Sequence, residues 1–133
     1  MPPWQKELIA QVRAYLRQYA GVFYADHGDP TFHQISRLGD QLTYLAEHYV
    51  YNFAQSGSDW ADHYFVRGSA TLVSGCLGAH TFALVRHVHL TEWDSNHYSP
   101  SAITSLMIAG KDDQVDGAIA EARLRTTDPE PAY

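Results

Sequence analysis

"RGSATLVSGCLGAHTFALVR", residues 67–86, has no formally charged side chain between its two arginines. An uncharged run of this length raises the question of a membrane span. Gly68, Ser69, Ser74, Gly75, Gly78 and the central His80 argue against one, because lipid rewards a continuous apolar surface. The reading adopted is a buried helix in the middle of a bundle. On it Ala70, Ser74 and Gly78 form one row of small side chains, and Gly75, Ala79 and Ala83 another. Such rows let neighbouring backbones approach closely or leave room for a ligand. A rival reading stays open: "TLVSG" and "TFALVRHVHLTEW" are rich in Val and Thr and could be strands.

The flanking segments decide the preference for helix. Trp4, Leu8, Val12, Tyr15, Leu16, Tyr19 and Phe23 recur at three-and-four spacing, which predicts a first helix ending at "DHGDP", residues 26–30. Phe32, Ile35, Leu38, Leu42, Leu45, Tyr49 and Phe53 predict a second, opened by Asp29 and Pro30. "QSGS", residues 55–58, then turns the chain into the central helix, about Asp59 to Leu90. Ser99 and Pro100 start a fourth, and Val115, Ile119 and Ala122 mark a short amphipathic piece. The expected fold is therefore all-α: a four-to-five-helix bundle around a buried, small-residue-rich third helix. Residues 1–125 form its single domain, and 126–133, "TTDPEPAY", a flexible tail.

Composition limits the functions. The 133 residues carry a net charge of −6 with Lys6 and Lys111 as the only lysines, a poor supply of the cations that neutralise nucleic-acid phosphates. Neither nucleic acid nor membrane is an expected partner. Cys76 is the single cysteine, placed by the helical reading in the core as a packing residue. The start lacks the zones of a signal peptide, so the expected compartment is the cytoplasm.

Eight histidines are the main chemical feature. "AEHYV" (46–50) and "ADHYF" (61–65) echo one another, and "ADH" also stands at 25–27. In an antiparallel helical hairpin about Ser56 and Gly57, His33 faces the height of His80, and His48 that of His63. Facing histidines inside a bundle can hold a metal or haem, which makes His48, His63, His80 and His87 the ligand candidates. Capping by Asp29 and Asp59, with tyrosines packing on boundary histidines, is the plainer explanation. "HVHLTEWDSNH", residues 87–97, looks like the metal motif of cupins and like the metallo-β-lactamase histidine run, with different spacing from both.

"HYFVRGSATLVSG", residues 63–75, is similar to the histidine phosphotransfer signature, except that His63 precedes Arg67 by four residues instead of three. That resemblance implies His63 as phosphoacceptor, Arg67 as the cation for the phosphoryl group and Gly68 as room for a partner. There is no phosphate-binding loop and no nucleophile elbow. The leading expectation is a cytoplasmic protein that binds another protein or its own copy as a homodimer. The close-packing face Ala70, Ser74, Gly75, Gly78 and Ala79 is its interface, with no cofactor as the default. The alternatives are a metal- or haem-binding bundle, and a small enzyme with a pocket lined by Tyr, His and acids.

Overall fold

A computed structural model describes residues 1–20, 28–52, 60–91, 94 and 98–124. The chain is a mixed α/β fold and not a helical bundle. Helix α1 (Pro3–Ala20) is followed by strands β1 (Thr31–Leu38), β2 (Gln41–Asn52), β3 (Trp60–Val73) and β4 (Cys76–Thr91), then helix α2 (Pro100–Ile108), a 3-10 turn (Asp112–Gln114) and helix α3 (Val115–Leu124). The strands make an antiparallel meander in the order β1-β2-β3-β4.

The predicted central helix is instead the β3–β4 hairpin, and its turn explains why. Ser74 and Gly75 both have positive φ, 53° and 79°, the pattern of a two-residue type I′ turn, whose twist matches that of the flanking strands. No helix passes through two left-handed residues. Beyond a break at Leu77 and Gly78, β4 alternates between half-buried even and exposed odd positions as far as His87, the period of a strand. The row of small residues therefore does not form a face. Ala70 is buried on β3, Ser74 and Gly75 are the turn, and Ala79 is exposed. Cys76 is also exposed, contrary to its expected place in the core.

The second predicted helix becomes β1 and β2, joined at Gly39 and Asp40. Gly39 has φ 60°, and positive φ at the first turn position is the type II′ signature. Thr31 pairs with Glu47, Phe32 with Ala46 and His33 with Leu45, before the register shifts between His33 and Ser36. Gln34 has φ 48° at that irregularity. The predicted turn at 55–58 and the tail at 126–133 lie outside the described residues.

The chain divides into two compact units. In the first, Met1–Tyr51 with Asp62–Val88, α1 lays Leu8, Val12 and Leu16 on one face of the sheet. They meet Leu42, Tyr44, Ala46, Val50, Tyr64, Val66 and Ala70, with Phe32, Phe82 and Leu84 at the margin. Burying each large apolar side chain contributes roughly 1.5–3 kcal/mol, so this layer holds α1 on the sheet. In the second unit, Asn52–Ala61 with His89–Tyr133, α2 packs on α3, and Ile103, Met107, Val115 and Ala122 are buried. Asp94 organises this unit: it accepts from the Thr91 hydroxyl at 3.0 Å and pairs with Arg123 at 3.2 Å. Among the described residues no helix is long and apolar enough to cross a membrane.

Candidate functional site

Within the first unit the two faces of the sheet carry different chemistry. Strand geometry sends alternate side chains to opposite faces, and on β2 the even residues Leu42, Tyr44, Ala46 and Val50 join the α1 layer. The odd residues Leu45, Glu47 and Tyr49 take the other face. There Glu47 accepts a hydrogen bond from each neighbouring strand: Nε2 of His33 on β1 lies 2.9 Å from Oε1, and Nε2 of His63 on β3 lies 2.6 Å from Oε2. A carboxylate offers only acceptors, so both imidazoles carry a proton on Nε2. The His63 ring lies between Tyr49 and Phe65, at centroid distances of 4.9 and 4.4 Å. It has no exposed surface, whereas Glu47 keeps 19% of its side chain open.

The open side of Glu47 forms part of a cleft of about 300 Å³, lined by Asp29, Thr31, Glu47, His48 and Tyr49. It lies at the end of the β1–β2 ladder, where Thr31 pairs with Glu47. Asp29 meets Arg13 of α1 at 3.0 Å. The lining residues include two carboxylates and two hydroxyl-bearing side chains, while His48, on an even position of β2, directs its side chain to the opposite face from Glu47 and Tyr49.

Two further histidines have partners of their own, His80 among them on the α1 side. His80 Nδ1 is 2.7 Å from the Gln11 side-chain oxygen, and the Tyr44 hydroxyl is 2.6 Å from His80 Nε2. The amide oxygen can only accept, so Nδ1 carries the proton and Tyr44 donates to Nε2 of a neutral ring. Burial favours that neutral state, lowering the His80 pKa from its ordinary value and raising that of Tyr44. His87 Nε2 is 2.6 Å from Asp62 Oδ1, and its ring stacks on Tyr64 at 4.5 Å. The Tyr64 pKa is raised by burial and then by the Asp62 charge.

The four ligand candidates therefore do not converge. His48 lies on the even positions of β2 and His63 on the opposite face with Glu47, while His80 is held by Tyr44 and His87 by Asp62. Among the described residues no group of three or more His, Cys, Asp or Glu could hold a metal ion. The helix that the phosphotransfer resemblance requires is a strand, and His63 has no exposed surface.

Glu47, Asp62, Tyr44 and Gln11, the partners that fix these rings, were not legible as site residues under a helical phase. The register of β1 on β2 would have found Glu47. No protein family, curated protein or solved structure matches the chain.

Proposed function

We propose that this domain is a binding module for a small polar molecule, held in the cleft beside Glu47. The observation that carries the reading is the fixing of one partly open carboxylate by two histidines from the adjacent strands. A charged group held by its neighbours in this way is preorganised and loses little freedom when a ligand arrives. Both carboxylate oxygens already accept an N–H, which suits Glu47 to anchoring more than to shuttling protons. The test is a fragment screen followed by amide chemical shifts on the full chain. Perturbations at Thr31, Glu47, His48 and Tyr49 are expected, and hits that map only elsewhere would remove the reading.

A second reading, binding of a protein partner or self-association, is favoured by the β3–β4 hairpin. Arg67, Ser69, Thr81, Phe82 and Ala83 line a concavity of about 400 Å³ there. Val73 and Val85 are 60% and 36% exposed. For the homodimer version, the solution mass is expected to be that of two chains and to fall to one in Ala83→Glu. A monomer at high concentration would end that version.

A further inference from the structure

We propose that His80 is an acid-sensitive latch in the seam between α1 and the edge strand β4. A proton taken up by its ring opens the seam and bares edge amides, while the apolar layer beneath keeps the helix on the sheet. Three side chains of α1, Glu7, Gln11 and Tyr15, stand four residues apart and so share one face of the helix. Each engages β4: Glu7 accepts from the Leu77 amide at 3.2 Å, Gln11 from His80 Nδ1 at 2.7 Å, and Tyr15 from the Leu84 amide at 3.0 Å. The outer two ties are made by backbone amides of β4. The middle one is made by a titratable side chain, one helical turn from each neighbour.

That middle tie depends on a neutral ring. Nδ1–H goes to Gln11, so Nε2 is the acceptor for the Tyr44 hydroxyl at 2.6 Å. Tyr44 is buried, and its hydroxyl lies against Gly68, in the place a Cβ would take there. A proton added to Nε2 turns the acceptor into a donor. The Tyr44 hydroxyl must then turn its own hydrogen into packed surroundings, where among the described residues it has no second hydrogen-bond partner. A stranded buried donor is unfavourable, and the charged ring is itself poorly solvated, in keeping with the lowering of its pKa by burial.

The groups that face the ring do not offset this. Tyr44 on β2 and Phe82 on β4 are uncharged, as is Gln11 on α1. Glu7, the carboxylate one turn away, is engaged with Leu77, and among the described residues no charged group of any element pairs with His80. The ring is half-buried, so when charged it reaches water by a change of rotamer. That movement breaks the Gln11 tie. Leu8, Val12 and Leu16 still hold α1 in the core, so the opening is confined to the seam and to the amides of Leu77 and Leu84.

The experiment is amide hydrogen exchange on the full chain from about pH 8 to about pH 5, with each rate taken relative to an unstructured amide at the same pH. Leu84 is the chosen reporter, because its acceptor is a hydroxyl, whereas the Glu7 carboxylate opposite Leu77 is itself titratable. Acid is expected to lower Leu84 protection about tenfold, while the amides of Leu45 and Val66 inside the sheet keep theirs. Gln11→Ala, a change at an exposed position, should show the lowered Leu84 protection at neutral pH and little further response to acid. His80→Gln should remove the pH dependence. Leu84 protection that falls only in step with that of Leu45 and Val66 would be global unfolding and would overturn the latch. A pH-independent Leu84, or the parent's full pH response in Gln11→Ala, would overturn it as well.

Discussion

The hydroxyl and ring edge of Tyr44 occupy the place that a side chain on Gly68 would need. The close approach ties the middle of β3 to the ring that donates to His80, so backbone and hydrogen-bond chain are fixed together. Gly68→Ala must displace a buried aromatic ring, and overpacking of this kind costs about 1–3 kcal/mol. The measurement is a urea midpoint for Gly68→Ala, Tyr44→Ala and the double variant. The two losses should be less than additive, because the small residue at 44 makes room for the methyl group. Simple additivity would contradict the packing described.

His80 gives stability a pH dependence of known sign. Its folded pKa is lowered by burial, so between that value and the unfolded one near ~6.5 the unfolded chain binds more protons. Its contribution is complete above the unfolded pKa and is lost as pH falls through the folded one. His80→Gln should therefore lose less melting temperature than the parent between pH 8 and pH 5. Equal losses would mean the ring is not held neutral.

Tyr44 acts at the other end of the scale. Burial raises its pKa, so the folded chain keeps a proton that the unfolded phenol releases above ~10. That contribution is present below the unfolded value and is lost as pH rises through the folded one. Tyr44→Phe should flatten part of the alkaline fall in melting temperature, with Tyr64, raised by burial and by Asp62, responsible for part of what remains. A parent profile indistinguishable from that of the variant would refute the assignment.

Glu47 braces three strands, and its loss should be felt most at the buried ring. Glu47→Ala removes the acceptor facing His63, a fully buried side chain, and stranding a buried donor costs about 1–3 kcal/mol. His33 is 21% exposed, so His33→Ala lets water replace the lost partner on Glu47 and should cost less. Guanidinium midpoints of the two variants decide the order.

The helix also guards the open edge of the sheet. β4 is an outer strand, and two of its amides are taken by α1: Leu77 N–H donates to Glu7 at 3.2 Å, and Leu84 N–H to the Tyr15 hydroxyl at 3.0 Å. Covering edge amides keeps other strands from pairing there. Tyr15→Phe should speed hydrogen exchange at Leu84 about tenfold and leave Leu77 unaffected; an unchanged rate would mean the bond does not protect that amide.

Three helices were legible because their signals are local. α1 has three-and-four spacing on Leu8, Val12 and Leu16, and α2 opens on Pro100. The sheet was masked by a coincidence of periods on β2. Leu42, Leu45 and Tyr49 fit one helical stripe, but Leu42 lies on the α1 face, whereas Leu45 and Tyr49 lie on the other. Apolar residues on both faces erase the alternation that marks a strand. On β4 the alternation runs from His80 to Leu90, and the Ser-Gly pair at 74 and 75 is a hairpin turn signal that agrees with it. The candidate site depends on strand register, so it became visible only with the sheet. The ligand sets His33 with His80 and His48 with His63 followed from a hairpin of helices, and they disappear with it.

The meander also sets an order of assembly. Ser74 and Gly75 close the shortest possible connection between β3 and β4, and a tight loop of this kind has the least closure entropy to overcome. Hairpins of this sort form within roughly 1–10 μs. By contrast, the bonds from α1 to β4 join residues 70 and 69 positions apart, and contacts of such sequence separation are the slow ones. On these grounds the sheet is expected to form with its outer strand uncovered until the amino-terminal helix docks, so that substitutions loosening α1 should promote aggregation during refolding.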